Sequence, residues 1–481
     1  MPNSNNEFPR IIQGGMGVGV SGWRLARAVS QAGQLGVVSG TAVDAVLVRK
    51  LQLGDPHGNL ANAFRAFPLP DIANRIWQRY YIEGGKAASK PFRAKPIFTF
   101  PLSASSTELI LLANFVEVYL AKHGHAGLVG INLLEKNQIA TLPSLLGAML
   151  ADVDFVMIGA GIPREIPAAL DRLASLQTAQ LTLDIAGNST GEPICTTLDP
   201  GEFSLRPLKR PKFLAIVSST TLAQSLAKRC TPPVDGFIIE GFTAGGHNAP
   251  PRGEVRLDAD GQPIYGERDI PNLELIRSIG LPFWLAGSFG SAERFSSALE
   301  LGAEGIQVGT PFAFCEESGI DPEIKAIALR KSIQGDAKVY TDLCASPTGF
   351  PFKVADIPGS LSEESTFSGR ERVCDLGYLR QMVKTGSGKI EYRCPAEPVE
   401  NYVRKGGAVA DTVGRKCLCN GLTATIGLGQ VRTGGYQEPS IVTAGTDIAS
   451  IAKNLRSGAT SYTAQDVIDR ILLPPRLANS A

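Results

Sequence analysis

Short apolar runs recur along the first two thirds of this chain, each followed by a glycine-containing turn and then an amphipathic stretch. Arg10-Ile11-Ile12-Gln13 reads as a strand leading into Gly14-Gly15-Met16-Gly17-Val18-Gly19. Residues 22–33 have helical spacing, with Trp23, Leu25, Ala26 and Val29 on one face. Leu35 to Val38 is a second strand, and Val43, Val46, Leu47 and Leu51 mark the next helix. The same alternation predicts strands at 128–132, 154–158, 213–217, 237–239, 282–286 and 305–308. Helices are predicted at 106–122, 140–151, 164–175, 219–229, 271–279, 291–302 and 321–334. Strand–helix repetition means a parallel sheet. About eight units over about 300 residues is the arithmetic of a TIM (β/α)8 barrel. An open doubly wound sheet uses fewer strands and a shorter chain.

Three regions break the rhythm. Residues 55–95 are rich in Pro, Gly and aromatics (Phe64, Phe67, Trp77, Tyr80, Tyr81) and read as an insertion that covers the barrel or the substrate. Ile97 to Phe100 is expected to add a strand, and residues 180–208 to form a hairpin-like excursion. Beyond about residue 318 the pattern loosens. The expected division is a barrel over 1–318 and a helical or irregular C-terminal lid or small domain over 319–481.

Chemistry concentrates at 235–247, Asp-Gly-Phe-Ile-Ile-Glu-Gly-Phe-Thr-Ala-Gly-Gly-His. An apolar strand runs into a glycine loop closed by His247, one of four histidines in 481 residues. In parallel α/β folds the strand C-termini meet the ligand. Histidine is the side chain best suited to move a proton near neutral pH. A histidine after glycines can also simply cap a turn, and the rest of the chain tips the reading toward chemistry. Two later motifs, Ala286-Gly287-Ser288-Phe289-Gly290 and Gln307-Val308-Gly309-Thr310, end the last two predicted strands. In barrels that corner often holds a phosphate on backbone N–H groups and a helix N-terminus. Thr310 is expected to add a hydroxyl donor; neither motif contains Lys or Arg, so amides would hold the anion. Ordinary turn glycines are the alternative for each motif alone.

Composition narrows the partners. Net charge is +1 with no basic cluster, which argues against nucleic acid. The first eight residues have no apolar core, so no signal peptide is expected. With no run of about 18 apolar residues, no membrane span is expected either. Eight cysteines spread along the chain read as reduced and the protein as cytoplasmic. Cys374, Cys394, Cys417 and Cys419 read first as packing residues; zinc or iron–sulfur ligation and redox work are the alternatives, and no metal is expected. Arg393, Arg415 and Lys416 read as a solvated face, with a nicotinamide phosphate or an acyl carrier as the other occupant.

Five motifs together resemble the nitronate monooxygenase (2-nitropropane dioxygenase) family, which is related to the FMN-dependent enoyl-acyl-carrier-protein reductases. They are Gln13-Gly14-Gly15-Met16, Gly130-Ile131-Asn132, Glu240-Gly241 with Ala244-Gly245-Gly246-His247, Ala286-Gly287, and Gln307-Val308-Gly309-Thr310. The likeness runs in order over roughly residues 8–355. It implies an FMN-binding barrel. Gly15, Met16 and Gly17 would lie under the isoalloxazine ring, and Asn132 and Glu240 would contact the ring or ribityl chain. Gly245, Gly246, Gly287, Ser288, Gln307, Gly309 and Thr310 would complete the cofactor site, with His247 as the catalytic histidine. The implied activity is nitronate or nitroalkane oxidation. An NAD(P)H-dependent enoyl-(acyl carrier protein) or quinone reductase, and a flavin-binding accessory protein of a lipid or polyketide synthase, are the other readings. Acyl carrier protein and a second copy of the chain are the candidate partners. Four positions depart from the family. Thr243 stands in place of Glu, Glu240 in place of the Gln of nitronate oxidisers, Ser288-Phe289 in place of Gly-Ile, and Gly14-Gly15 in place of Ala-Pro. Glu240 leans toward the reductases.

Overall fold

Side chains on a strand point alternately to its two faces, and this chain uses both faces for burial. In the computed structural model, which describes residues 8–188 and 191–472, the eight parallel strands are β1 (Ile11–Gln13), β2 (Gly36–Ser39), β3 (Val129–Leu134), β4 (Phe155–Gly159), β8 (Lys212–Val217), β9 (Gly236–Glu240), β10 (Phe283–Ala286) and β11 (Gly305–Val308). They pair in the order β1-β11-β10-β9-β8-β4-β3-β2, and a parallel bridge from Ile12 to Leu35 closes the ring. The result is a TIM barrel. Residues 1–7 of the terminal stretch read for a signal peptide and the last nine residues of the chain lie outside the described residues.

Ile12, Val37, Phe155, Met157, Leu214, Ile238 and Trp284 fill the barrel interior. Their neighbours Ile11, Val38, Val156, Phe213, Phe237 and Leu285 join the larger core between strands and helices. Phe8 packs edge-on against Trp284, whose indole N–H donates to the Pro9 carbonyl at 2.8 Å, and so plugs the base. The same alternation carried one step further points Asn132, Glu240 and Gln307 inward at the mouth.

The expected strand at 97–100 is absent: that stretch is extended coil. It belongs to a connection held by side chains, not by a ladder. Lys95 forms a buried ion pair with Asp44 (3.0 Å), and Tyr378 donates to the same carboxylate (2.6 Å). The insertion forms two helices, Asn59–Ala66 and Pro70–Tyr80, packed on the outer helices Val43–Gln52 and Ala104–Lys122. Its aromatics are buried there, and none of residues 55–95 lines the central cavity. It therefore covers the barrel wall and not the substrate. Ala104–Lys122 is the one described helix long and apolar enough to cross a membrane, and it is largely buried against Gln138–Leu150.

The C-terminal region does not stand apart as a small domain. Strands β5 (Ala179–Thr182) and β7 (Cys195–Leu198) form the excursion's antiparallel pair. Between them, β6 (Ile185–Ala186) joins β14 (Gln381–Lys384) and β15 (Ile390–Arg393) in one sheet. Strands β12 (Val339–Asp342) and β13 (Phe352–Ala355) form a hairpin near His247. Val442, Ala444, Ile448, Ile451 and Tyr462 enter the main core, and helix Ala464–Leu472 packs on Trp23–Gln31 and Ala292–Glu300. Residues 319–472 wrap the barrel because their apolar positions complete its core.

Candidate functional site

Register builds the mouth of the barrel. Ala286 pairs with Glu240 on one side and Gln307 on the other, and Asn132 lies level with Ser39 and Met157. These strand ends open on a cavity of about 260 Å³. His247, Gly15, Met16, Gly17, Asn132, Glu240, Gly245, Gly246, Gly287, Ser288, Gln307, Gly309 and Thr310 all line it. The cofactor-site residues and the histidine named from the motifs thus face one space.

Small residues are obligatory at two of these places. A Cβ on Gly15 would sit 2.1 Å from the Cβ of Asn132. Gly287 has φ +99° and its Cβ would meet the Thr243 hydroxyl at 2.9 Å. Backbone strain gathers here too. Of six described non-glycine residues with positive φ, Ala42, Ala160 and Ser288 line the cavity. Such conformations persist only where the surroundings impose them, and they cluster at functional sites.

The electrostatics separate two titratable groups. Glu240 is buried without a charge partner, and desolvation pushes its carboxyl up to about 7. Burial, helped by the Lys136 charge, pulls His247 down to about 4. The wall therefore holds a neutral histidine and a carboxyl poised to keep its proton. His247 Nε2 lies 2.7 Å from the Ser346 hydroxyl, and its ring meets Phe352 edge-on at 4.9 Å. A second cavity of about 280 Å³ continues outward; it shares Ala160, Ile216, Glu240 and His247 with the first and is walled by Ile162, Phe242, Tyr265 and Phe350.

At the phosphate corner the Thr310 hydroxyl accepts from the Gly445 N–H (2.8 Å), with the Asp447 carboxyl beside it. Ser288 is likewise engaged, with its Oγ 2.9 Å from Thr446 Oγ1. The C-terminal segment 443–447 folds into this corner. Thr443 accepts from Gly246 N–H, and Asp447, itself raised by burial, lines the cavity. None of the lining residues is Lys or Arg. An anion here would depend on backbone amides and would stand beside a carboxyl that keeps its proton more readily than usual.

Sequence reasoning missed Thr443, Asp447, Tyr378, Leu379, Leu418, Cys419 and Leu422 as lining residues and Ser346 as the partner of His247. No periodic signal marks them, because they belong to coil or to short helices such as Leu418–Thr425, placed by contacts with distant residues. Cys374, Cys394, Cys417 and Cys419 do converge, around a small closed cavity. All four are free, and burial raises each thiol. Among the described residues no group of His, Cys, Asp and Glu is arranged to hold a metal ion. Raised thiols are poor nucleophiles, which fits packing residues. Arg415 is not a solvated face, since its guanidinium is spent on the carbonyls of Cys344 and Ser346.

A flavin was implied for this cavity, and the residues at its inner end suit a planar ring bearing N–H donors. Gln307 Oε1 is buried and has no partner among the described residues, and an orphan acceptor of this kind calls for a donor.

The nitronate monooxygenase family model matches residues 179–341, which include the sixth, seventh and eighth barrel strands. The nitronate monooxygenase of Paraburkholderia phytofirmans is 30% identical over 150 residues, 31% of this chain and 38% of that protein. The Pseudomonas aeruginosa nitronate monooxygenase is 28% identical over 154 residues, 31% of this chain and 39% of that protein. The chain thus spans about two fifths of the length of the curated relatives it matches. A solved nitroalkane oxidase from Streptomyces ansochromogenes aligns over 97% of this chain and 94% of its own, at 16% identity and a TM-score of 0.47. The family named by the motifs at the barrel mouth is the family whose model matches: over residues 179–341 this chain is similar to the nitronate monooxygenases.

Proposed function

We propose that the chain is an FMN-dependent oxidoreductase that oxidises nitronates or nitroalkanes, with His247 as acid/base. The observation that carries this reading is the joining of two cavities at His247 and Glu240. The inner one, with its glycine walls and the orphan Gln307 acceptor, suits the flavin ring; the outer one suits the substrate. Bound there, the flavin would supply the electron acceptor. Gly15, Met16, Gly17, Asn132 and Gln307 would hold the ring, and Gly245, Gly287 and Gly309 would take the chain and phosphate by their backbones.

This chain's own groups would then manage charge and protons. A nitronate is an anion. Burial raises the Glu240 carboxyl to about 7, so near neutral pH it is only partly ionised and repels that anion less than an ordinary carboxylate would. Lys136 acts on His247 and so brings positive potential to the same wall. With a neutral nitroalkane as substrate, His247, neutral at neutral pH, offers a lone pair to the proton on the carbon beside the nitro group, a proton that a nitronate has already lost. The apolar side chains of the outer cavity exclude water around that transfer.

A second reading rests on Glu240. A protonated carboxyl in this wall is a proton donor; the reduction of an enoyl or quinone substrate by NAD(P)H takes up one proton beside the hydride, which nitronate oxidation does not. Anaerobic stopped-flow mixing of the flavin-loaded protein separates the two. Rapid bleaching of the visible flavin band by a nitronate, and not by NADH or NADPH, is the expected result. Bleaching by nicotinamide alone would replace the first reading with the second. A protein that takes up no flavin would overturn both.

A further inference from the structure

The geometry points to Ser346 as the positioning residue of His247: it engages Nε2 and leaves Nδ1 as the nitrogen that meets the substrate. This deepens the proposed acid/base role of His247 and rests on it. The Ser346 hydroxyl lies 2.7 Å from Nε2, whereas Nδ1 has no hydrogen-bond partner among the described residues.

Ser346 is not placed by the histidine. Its side chain is fully buried, in a turn held from two other directions. Arg415 donates to the Ser346 carbonyl (2.6 Å) and the Cys344 carbonyl (2.9 Å). The Asp342 carboxylate accepts from the N–H groups of Cys344 (2.7 Å) and Ala345 (2.9 Å), and Lys416 N–H donates to Ala345 O (2.9 Å). The turn is therefore a fixed platform built by the C-terminal wrap, and it lies beyond the segment that matches the family model.

Proton counting shows what the platform does. A serine hydroxyl has one proton and two lone pairs. One lone pair of Ser346 takes the Thr348 N–H (3.2 Å), and Thr348 Oγ1 lies 2.8 Å away. If Nε2–H fills the second lone pair, the Ser346 proton passes to Thr348 Oγ1, and every bond is made. Nδ1 is then a bare lone pair facing the cavity, the form a base needs. After Nδ1 takes the substrate proton, Nε2–H still donates to Ser346, so no bond on that side has to break. A nitrogen held by its partner in one tautomer is how orienting groups serve catalytic histidines.

The test uses the flavin-loaded protein with 15N-labelled histidine. With four histidines in the chain, His247 is assigned by the signal lost in His247→Gln. The expected spectrum has Nε2 protonated and Nδ1 bare. In Ser346→Ala we expect a mixture of tautomers and a fall in kcat of about 10- to 100-fold with KM little changed. Thr348→Val, a milder change, should move both readouts in the same direction and serves if Ser346→Ala fails to fold. A wild-type spectrum with Nδ1 protonated overturns the proposal. So does loss of turnover in the variants with the tautomer unchanged, which is what a merely structural role predicts. Full turnover in His247→Gln would instead sink the acid/base reading, while the tautomer result would stand or fall separately.

Discussion

The two sides of the cavity were built by different means. On the barrel side, Asn132, Glu240 and Gln307 reach the mouth because strand parity and register put them there. On the wrap side, Tyr378, Cys419, Thr443 and Asp447 reach it from coil or short helices, and Ser346 stands behind His247, fixed by long-range contacts. The contrast teaches that a barrel supplies the cofactor floor by repetition, whereas the ceiling has to be specified contact by contact. Substitutions on the floor should therefore alter chemistry with little loss of fold, and substitutions on the ceiling's anchors should loosen the fold first.

The largest effect is expected at such an anchor. Asp44→Ala leaves Lys95 buried and unpaired and removes the acceptor of the Tyr378 hydroxyl. Breaking a buried pair from one side costs roughly 3–5 kcal/mol, to be read as a lowered denaturant midpoint. A loss below about 1 kcal/mol would mean that the wrap is not held at this point. On the floor, His247→Ala should retain flavin yet lower turnover by at least about 100-fold. Steady-state kinetics beside a flavin-binding titration checks both halves of that statement.

Glu240 and His247 sharpen the comparison through pH. The folded Glu240 carboxyl is raised from 4.5 to about 7. Its contribution to stability is fully present below 4.5 and is lost as pH rises to 7. His247 is lowered from 6.5 to about 4. Its contribution is present above 6.5 and is lost as pH falls to 4. The two slopes oppose each other between about 4.5 and 6.5 and largely cancel. Glu240→Gln removes one of them. The variant should match the parent near pH 4 and outlast it increasingly up to pH 7, by on the order of 3 kcal/mol. Melting curves against pH measure this, and a gap that does not grow with pH contradicts it.

The smallest effect lies at the phosphate corner, where floor and ceiling meet. Asp447→Asn removes a carboxyl beside the place an FMN phosphate would occupy. The preference for FMN over riboflavin should rise by up to about tenfold, or about 1.4 kcal/mol. An unchanged ratio of the two affinities would mean that the phosphate does not reach Asp447.

The sequence by itself determined the barrel. Alternation of apolar residues along each strand, the turn glycines and the count of strand–helix units specify it, because the period of a strand is a local property. It also determined the floor of the cavity, since residues such as Glu240, Gly287 and Gln307 inherit their positions from strand ends. It misled at 97–100, where an apolar-aromatic run looked like a strand but found no neighbour to pair with; Lys95 and Asp44 hold that connection instead. At 55–95 it left two covers open, the barrel or the substrate, and the packing of the aromatics on the outer helices decides for the barrel. The sequence left residues beyond 318 as a lid or a small domain; which of them reach the cavity is visible only in the tertiary structure. Nothing periodic distinguishes Ser346 or Asp447 from any other turn residue. Their roles come from contacts across 99 residues to His247 and from Thr310 to the segment 135 residues further on. Such pairings depend on the whole chain having collapsed around the barrel, and no local pattern encodes them.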